Sequence, residues 1–223
     1  MMNKGRSFAH YPCAMLYLAS QSPRRRELLA QIGADFEIVD VDVPEVRGGD
    51  EAPCAYVERV ARAKARAGLQ AVSAGDPGAV VLGADTEVVL DDRVFGKPRD
   101  GDDAAAMLRV LSAREHAVIS VVCCATASSE NIAVCESMVA FAELDERAIA
   151  DYVTTGEPFG KAGAYAIQGR AAAFIAHLSG SYSGVMGLPL FETARLLCGA
   201  GIAARPRLNG RDCCIDRYRP TGL

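Results

Sequence analysis

Two hydrophobic periods alternate along this 223-residue chain, one of about two residues and one of three to four. The apolar residues 15–19 predict a first strand. It runs into Ser20-Gln21-Ser22-Pro23, where Ser22 suits an N-cap and Pro23 the first position of a helix reaching about Ile32. Gly33 is expected to end that helix. Residues 35–41 read as a second strand and 44–50 as a loop. Residues 53–67 read as an amphipathic helix with Tyr56, Val57, Val60 and Ala61 turned inward. Residues 79–84 form a wholly apolar strand, 87–90 continue extended, and Asp91-Asp92 turn the chain back into Val94 and Phe95. A helix from Asp102 through Leu111 follows. Residues 116–127 and 132–144 are two long strand-like runs joined by the polar turn Ser128-Ser129-Glu130-Asn131, a pattern that predicts antiparallel pairing. Asp145 caps a helix to about Val153. Then come a glycine-rich loop over 156–169, a strand over 171–178 and a last helix over 189–198. Strands that alternate with helices and then pair as a hairpin predict an α/β class with a mixed sheet.

Composition narrows the picture without changing it. Half of the residues are hydrophobic, so 223 residues can fill one ordinary core or two joined lobes. The formal net charge of −4 provides no global basic field for nucleic acid, and any anion site must be local. Lys4 and Arg6 precede an apolar run over 12–19, but that run is short and lacks a small-residue cleavage site, so it reads as the buried first strand rather than a signal peptide. No stretch approaches the ~18 apolar residues that span a bilayer. The eight cysteines, Cys13, Cys54, Cys123, Cys124, Cys135, Cys198, Cys213 and Cys214, contain no Cys-x-x-Cys and read as reduced thiols of a cytoplasmic protein. Residues 1–14 read as a flexible extension, with Met15 a candidate start, 15–200 as a single domain, and 201–223 as a loosely packed tail.

The chemistry-bearing residues are few. Arg24-Arg25-Arg26 occupy the opening turn of the first helix, where the dipole favours acids and each cation costs ~0.3–1 kcal/mol. A bound polyphosphate would reverse that penalty, since free N–H groups and guanidinium forks would face one anion. Arg24 and Arg25 are read that way, and Arg26 as a solvated side chain. Of the 24 lysines and arginines only Lys4, Lys64, Lys97 and Lys161 are lysines. A chain that prefers arginine for surface charge would reserve lysine for sites that need a compact ammonium, such as phosphate oxygens. Asp85 follows an apolar strand at its expected carboxyl end, a usual place for ligand chemistry, although a turn-forming role is open to it as well. Glu45, just past another strand, is a candidate second carboxylate. Together with a divalent cation, two acids can hold a triphosphate and activate water. The P-loop reading of Gly96-Lys97 fails because Pro98 follows and Asp91 stands where the first glycine belongs. With only His10, His116 and His177, a histidine triad or metal cluster is not expected.

These segments, in this order, resemble the Maf family of nucleoside triphosphate pyrophosphatases over about residues 16–197. The resemblance is carried by Leu18-Ala19-Ser20-Gln21-Ser22-Pro23-Arg24-Arg25, Gly83-Ala84-Asp85-Thr86, Gly96-Lys97-Pro98, and Lys161-Ala162-Gly163-Ala164-Tyr165-Ala166-Ile167-Gln168-Gly169. Gly180-Ser181-Tyr182-Ser183 and Gly187-Leu188-Pro189-Leu190 add to it. The resemblance implies an elongated α/β fold of two lobes around a central cleft, often a homodimer, that uses a divalent cation such as Mg2+ or Mn2+ and releases pyrophosphate. It puts the catalytic base on Asp85, and phosphate and metal contacts on Ser20, Arg24, Arg25, Glu45, Lys64 and Lys97, with Glu45 and Asp85 on the metal. Base selectivity falls on Arg24, Thr86 and Gln168, which implies dTTP and UTP as substrates. Gly160 departs from the family, whose members commonly carry an acid there. Two alternatives are a methylated-GTP pyrophosphatase of the same family, which the Ala164-Tyr165 and Gln168 pattern opposes, and a non-catalytic, nucleotide-sensing regulator of cell division, which would have no need of Asp85. Neither nucleic acid nor membrane is an expected partner.

Overall fold

The computed structural model describes residues 14–204, and the readings made for the rest of the two termini lie outside the described residues. In chain order the elements are β1 (Leu16–Ala19), α1 (Pro23–Gln31), β2 (Phe36–Ile38), α2 (Pro53–Val72), β3 (Val80–Leu90), β4 (Arg93–Phe95), α3 (Gly101–Leu111), β5 (Glu115–Ala125), β6 (Glu130–Phe141), α4 (Glu146–Thr154), β7 (Ile175–Ser179), α5 (Tyr182–Met186) and α6 (Leu190–Gly199). The strands form one sheet in the order β2-β1-β3-β5-β6-β7, with β4 also on β3. β1 runs parallel to both its neighbours, whereas every other pairing is antiparallel. The class is α/β with a mixed sheet, as the pattern predicts.

Local chemistry explains most boundaries. The Ser22, Asp100 and Asp145 side chains accept from the N–H groups of Arg25, Asp103 and Ala148 and so start α1, α3 and α4. Asp91 and Asp92 both adopt positive φ, 50° and 60°, the backbone of a tight hairpin between β3 and β4. α2 extends to Val72 rather than Ala67, and β2 shrinks to three residues at the sheet edge. A short helix, α5, appears where none was expected. The predicted strand over 171–178 divides: Arg170–Phe174 is a 3-10 turn and only Ile175–Ser179 joins the sheet. Ile202 and Ala204, read as tail, are buried in the core.

β3 organises the molecule. On one face, Val80, Leu82 and Ala84 pack into a core with Leu18, Leu28 and Leu197, while Val88 and Leu90 belong to a second core with Phe95, Leu108 and Ile149. Thr86 falls at the boundary between them. On the opposite face, Val57, Val60 and Ala61 of α2 pack against Val89, Ile119 and Val121. Gly83 permits that approach, because a Cβ there would stand 2.5 Å from Ala61 O and Ala65 N.

The same strand opens the site. β5 pairs along one edge of β3 from Val81 to Val89. The other edge is shared: β1 pairs with Val80 through Gly83, and β4 with Val88 through Leu90. Between those two partners, Ala84 to Glu87 have no strand on that edge among the described residues.

Candidate active site

A cavity of about 710 Å3 opens at this gap, within the range of small-molecule sites. Its walls carry all nine residues singled out from the sequence: Ser20 after β1, Arg24 and Arg25 on α1, Glu45 on the loop after β2, Lys64 on α2, Asp85 and Thr86 on β3, Lys97 after β4, and Gln168 on the loop before β7. One expectation needs correction. Asp85 is neither the end of its strand nor a turn residue but the sixth position of the eleven-residue β3. The strand end that matters belongs to β1, whose departure at Ala19 exposes the middle of β3.

Asp85 is buried, 5 % exposed, on the face covered by α2. Lys64 reaches it because it continues the inward stripe of α2. Its Nζ lies 2.8 Å from Asp85 Oδ1 and 2.5 Å from Glu45 Oε1, so one ammonium bridges the two carboxylates. Lys97 Nζ adds a contact to Glu45 Oε2 at 3.3 Å. Burial works against the charge on Glu45, but the hydrogen bond and charge of Lys64, followed by those of Lys97, outweigh it and hold the carboxyl below its ordinary range. Asp85 Oδ2 is left buried with no hydrogen-bond partner.

On the other face of β3 the contacts separate the arginines. Arg25 donates to Gly187 O at 2.8 Å, Ser20 Oγ at 3.3 Å and Thr86 Oγ1 at 3.4 Å. Ser120 Oγ lies 2.7 Å from Gly184 O, which takes its proton, so at 2.8 Å it accepts from Thr86. Ser20 and Thr86 therefore both help to orient Arg25 by accepting from it. Arg24 has no hydrogen bond or ion pair among the described residues, and burial pushes its pKa down. Lys161, also on the cavity wall, is pushed down by burial and then by Arg24. Its ammonium rests on the carbonyls of Glu157 and Phe159. Two neighbouring cations, neither of them in an ion pair among the described residues, are a receptor for anionic oxygens. Arg26 bonds to Gln21 O, away from this group. Val118, Tyr165, Ile167, Val185 and Met186 add an apolar stretch of wall. The Gln168 amide is exposed beside it and makes no hydrogen bond among the described residues.

A model of the Maf-like protein family matches residues 15–200. The chain belongs to the Maf family. Among its Maf relatives, the dTTP/UTP pyrophosphatase of Xanthomonas oryzae pv. oryzae (strain MAFF 311018) is 60% identical over 190 residues, covering 84% of this chain and 99% of the relative. The dTTP/UTP pyrophosphatase of Albidiferax ferrireducens is 50% identical over 193 residues, covering 83% and 96%. The nucleoside triphosphate pyrophosphatase of Xylella fastidiosa (strain M23) is 55% identical over 187 residues, covering 82% and 97%.

The Maf site accommodates a divalent cation by its donor chemistry. Glu45 and Asp85 present hard oxygens, and Asp85 Oδ2 lacks the partner that a buried carboxylate oxygen requires. Among the described residues no trio of Asp, Glu, His or Cys side chains could hold a metal by itself, so phosphate oxygens would have to complete the shell, as is usual for Mg2+.

Sequence reading missed Glu87. It is two residues after Asp85 on the same face, 8 % exposed, with Oε2 unpartnered. Burial, then the charges of Asp85 and Glu45, push its pKa up to about 8. A carboxyl raised in the folded state supports stability fully below its unfolded value near 4.5 and loses that support as pH rises through 8. Glu87→Gln, which mimics the protonated form, is expected to melt with the parent protein near pH 4.5. At pH 9 it should melt several degrees higher, a gain on the order of 3 kcal/mol. Equal melting temperatures at pH 9 would mean that Glu87 ionises freely. Scanning calorimetry at the two pH values checks this.

Proposed function

We propose that this chain hydrolyses UTP and dTTP to the nucleoside monophosphate and pyrophosphate. The observation that carries the reading is Asp85 Oδ2, an unpartnered carboxylate oxygen in a cleft whose other walls offer unpaired cations and an apolar shelf. The names of the relatives support the same chemistry. A non-catalytic sensor would not need to bury such an oxygen, which costs stability without a partner.

In this mechanism Asp85 accepts the proton of a water that attacks the α-phosphorus. Lys64 occupies Oδ1 and fixes the carboxylate, leaving Oδ2 for the water. Arg24, Arg25 and Lys161 take phosphate oxygens, and Lys97 and Lys64 neutralise charge that develops on the departing pyrophosphate. Glu45 and Asp85 would hold Mg2+ or Mn2+, which when bound neutralises phosphate charge and makes a nearby water more acidic. The five described cysteines are free thiols, consistent with a cytoplasmic enzyme. No described helix is long and apolar enough to cross a membrane.

Base choice falls to Gln168, whose amide can give one hydrogen bond and take another. Uracil and thymine present acceptor, donor and acceptor along one edge, while cytosine reverses part of that order and would leave groups unpaired. A site built to hydrogen-bond rejects a mispaired analogue by more than the ~1–3 kcal/mol that shape provides. Specificity constants for five nucleotides, with pyrophosphate and orthophosphate measured separately, are expected to put UTP and dTTP well ahead of CTP, ATP and GTP. Gln168→Ala should flatten that order more than it slows UTP. If the substitution lowered all five constants by one factor, Gln168 would only brace its loop.

A further inference from the structure

Residues 156–169 carry Lys161 and Gln168 to the cleft, yet the side chains that hold this loop in place never reach it. Glu157 is the centre of that support. Its Oε2 accepts from Arg170 N at 3.0 Å, and its Oε1 from Ala171 N at 3.3 Å and from Tyr152 OH at 2.8 Å. The Tyr152 hydroxyl in turn accepts from Ala166 N at 3.2 Å. Three backbone amides, one before Gln168 and two after it, thus end on a single phenol–carboxylate pair. Tyr152 comes from α4, is 3 % exposed, and packs edge-on against Phe174. Gly169 lies against the carboxylate, where a Cβ would stand 2.3 Å from Oε1. The Glu157 carbonyl also receives the Lys161 ammonium at 2.5 Å. Burial opposes ionisation of Glu157, but the amides of Arg170 and Ala171 and the Tyr152 hydroxyl hold it below the ordinary carboxylate range, so it stays an acceptor at neutral pH.

We propose that Tyr152 and Glu157 are positioning residues for substrate choice: together they clamp the loop on both sides of Gln168 and so fix the angle at which its amide meets the base. The inference rests on the reading of Gln168 as the base contact. Neither clamp residue lines the cleft, so their effect on substrate choice must pass through the loop.

The test uses the full chain with Tyr152→Phe, Glu157→Gln and, as reference, Gln168→Ala. Tyr152→Phe removes only a hydroxyl and strands the Ala166 amide. Glu157→Gln keeps the shape but turns one accepting oxygen into an N–H2 that faces a backbone donor. Thermal melting, amide hydrogen exchange over 163–171, and specificity constants for UTP and CTP are measured on each. Glu157→Gln is expected to speed exchange of the loop amides and to lower the UTP-to-CTP ratio about tenfold, with the UTP turnover number changed far less. Tyr152→Phe should act in the same direction with a smaller effect. If Gln168→Ala flattens the ratio while both clamp variants keep the parental one, the clamp proposal is overturned and the base reading stands. If all three variants keep the parental ratio, the base reading fails and takes the clamp with it. An equal loss for UTP and CTP that follows the drop in melting temperature would overturn the proposal in favour of a purely structural role.

Discussion

Asp85→Asn is expected to lower turnover by about 10²–10⁴ while the chain remains folded, the range associated with loss of a positioned general base. Asparagine has the same shape, and its carbonyl can still accept from Lys64. What changes is the second position: an N–H2 replaces Oδ2, the atom left without a partner, and an amide takes no proton from water. Folding should tolerate the substitution because Lys64 keeps Glu45 at 2.5 Å, so no cation is stranded. Turnover and thermal melting are to be measured on one preparation. Near-normal turnover in the folded variant would remove Asp85 from the mechanism.

Lys64→Met should be nearly as damaging, and for two separable reasons. The substitution keeps length and apolar bulk between α2 and β3 but takes the ammonium away from Asp85 and Glu45. Turnover is expected to fall on the order of 10²-fold, as when one preorganised electrostatic donor is lost. Stability should fall as well, by about 3 kcal/mol at pH 8, the lower end for breaking a buried pair because Glu45 is partly solvated. The sign of the pH effect follows from the charges. Without Lys64, Glu45 loses the hydrogen bond and charge that hold its carboxyl low, so the penalty is present at high pH and fades as pH falls. The melting difference from the parent protein should therefore shrink between pH 8 and pH 5. A pH-independent difference would indicate lost packing instead of lost charge.

The parts of this site that could be read from the sequence are those that local rules expose. Lys64 stands three to seven positions after Val57, Val60 and Ala61, on the stripe that helical periodicity turns inward. The arginines of α1 betray themselves by occupying the wrong end of a helix dipole. Glu87 had a signal too, since alternate strand residues share a face with Asp85, but one acid in an otherwise apolar run resembles a strand boundary. Other features depend on contacts distant in sequence. Residues 171–174 look like the start of a strand because they are apolar, but Glu157 takes the amides of Arg170 and Ala171 and withholds them from the sheet. The middle position of Asp85 was likewise hidden, because nothing local to β3 reveals that β1 and β4 divide its edge. Thr86 and Ser20 were read as substrate contacts, and the link that no local rule reveals is that both hydroxyls also accept from Arg25.

The most direct test follows the oxygen of the attacking water. UTP is to be hydrolysed by the full-length protein in oxygen-18 water with a divalent cation present, and each phosphorus product examined by phosphorus NMR for the isotope shift. With Asp85 directing water to the α-phosphorus, one labelled oxygen should appear in UMP and none in pyrophosphate, with no early orthophosphate. Label in pyrophosphate would mean attack on the β-phosphorus, and label in orthophosphate attack on the γ-phosphorus; either result would contradict the proposed role of the cleft.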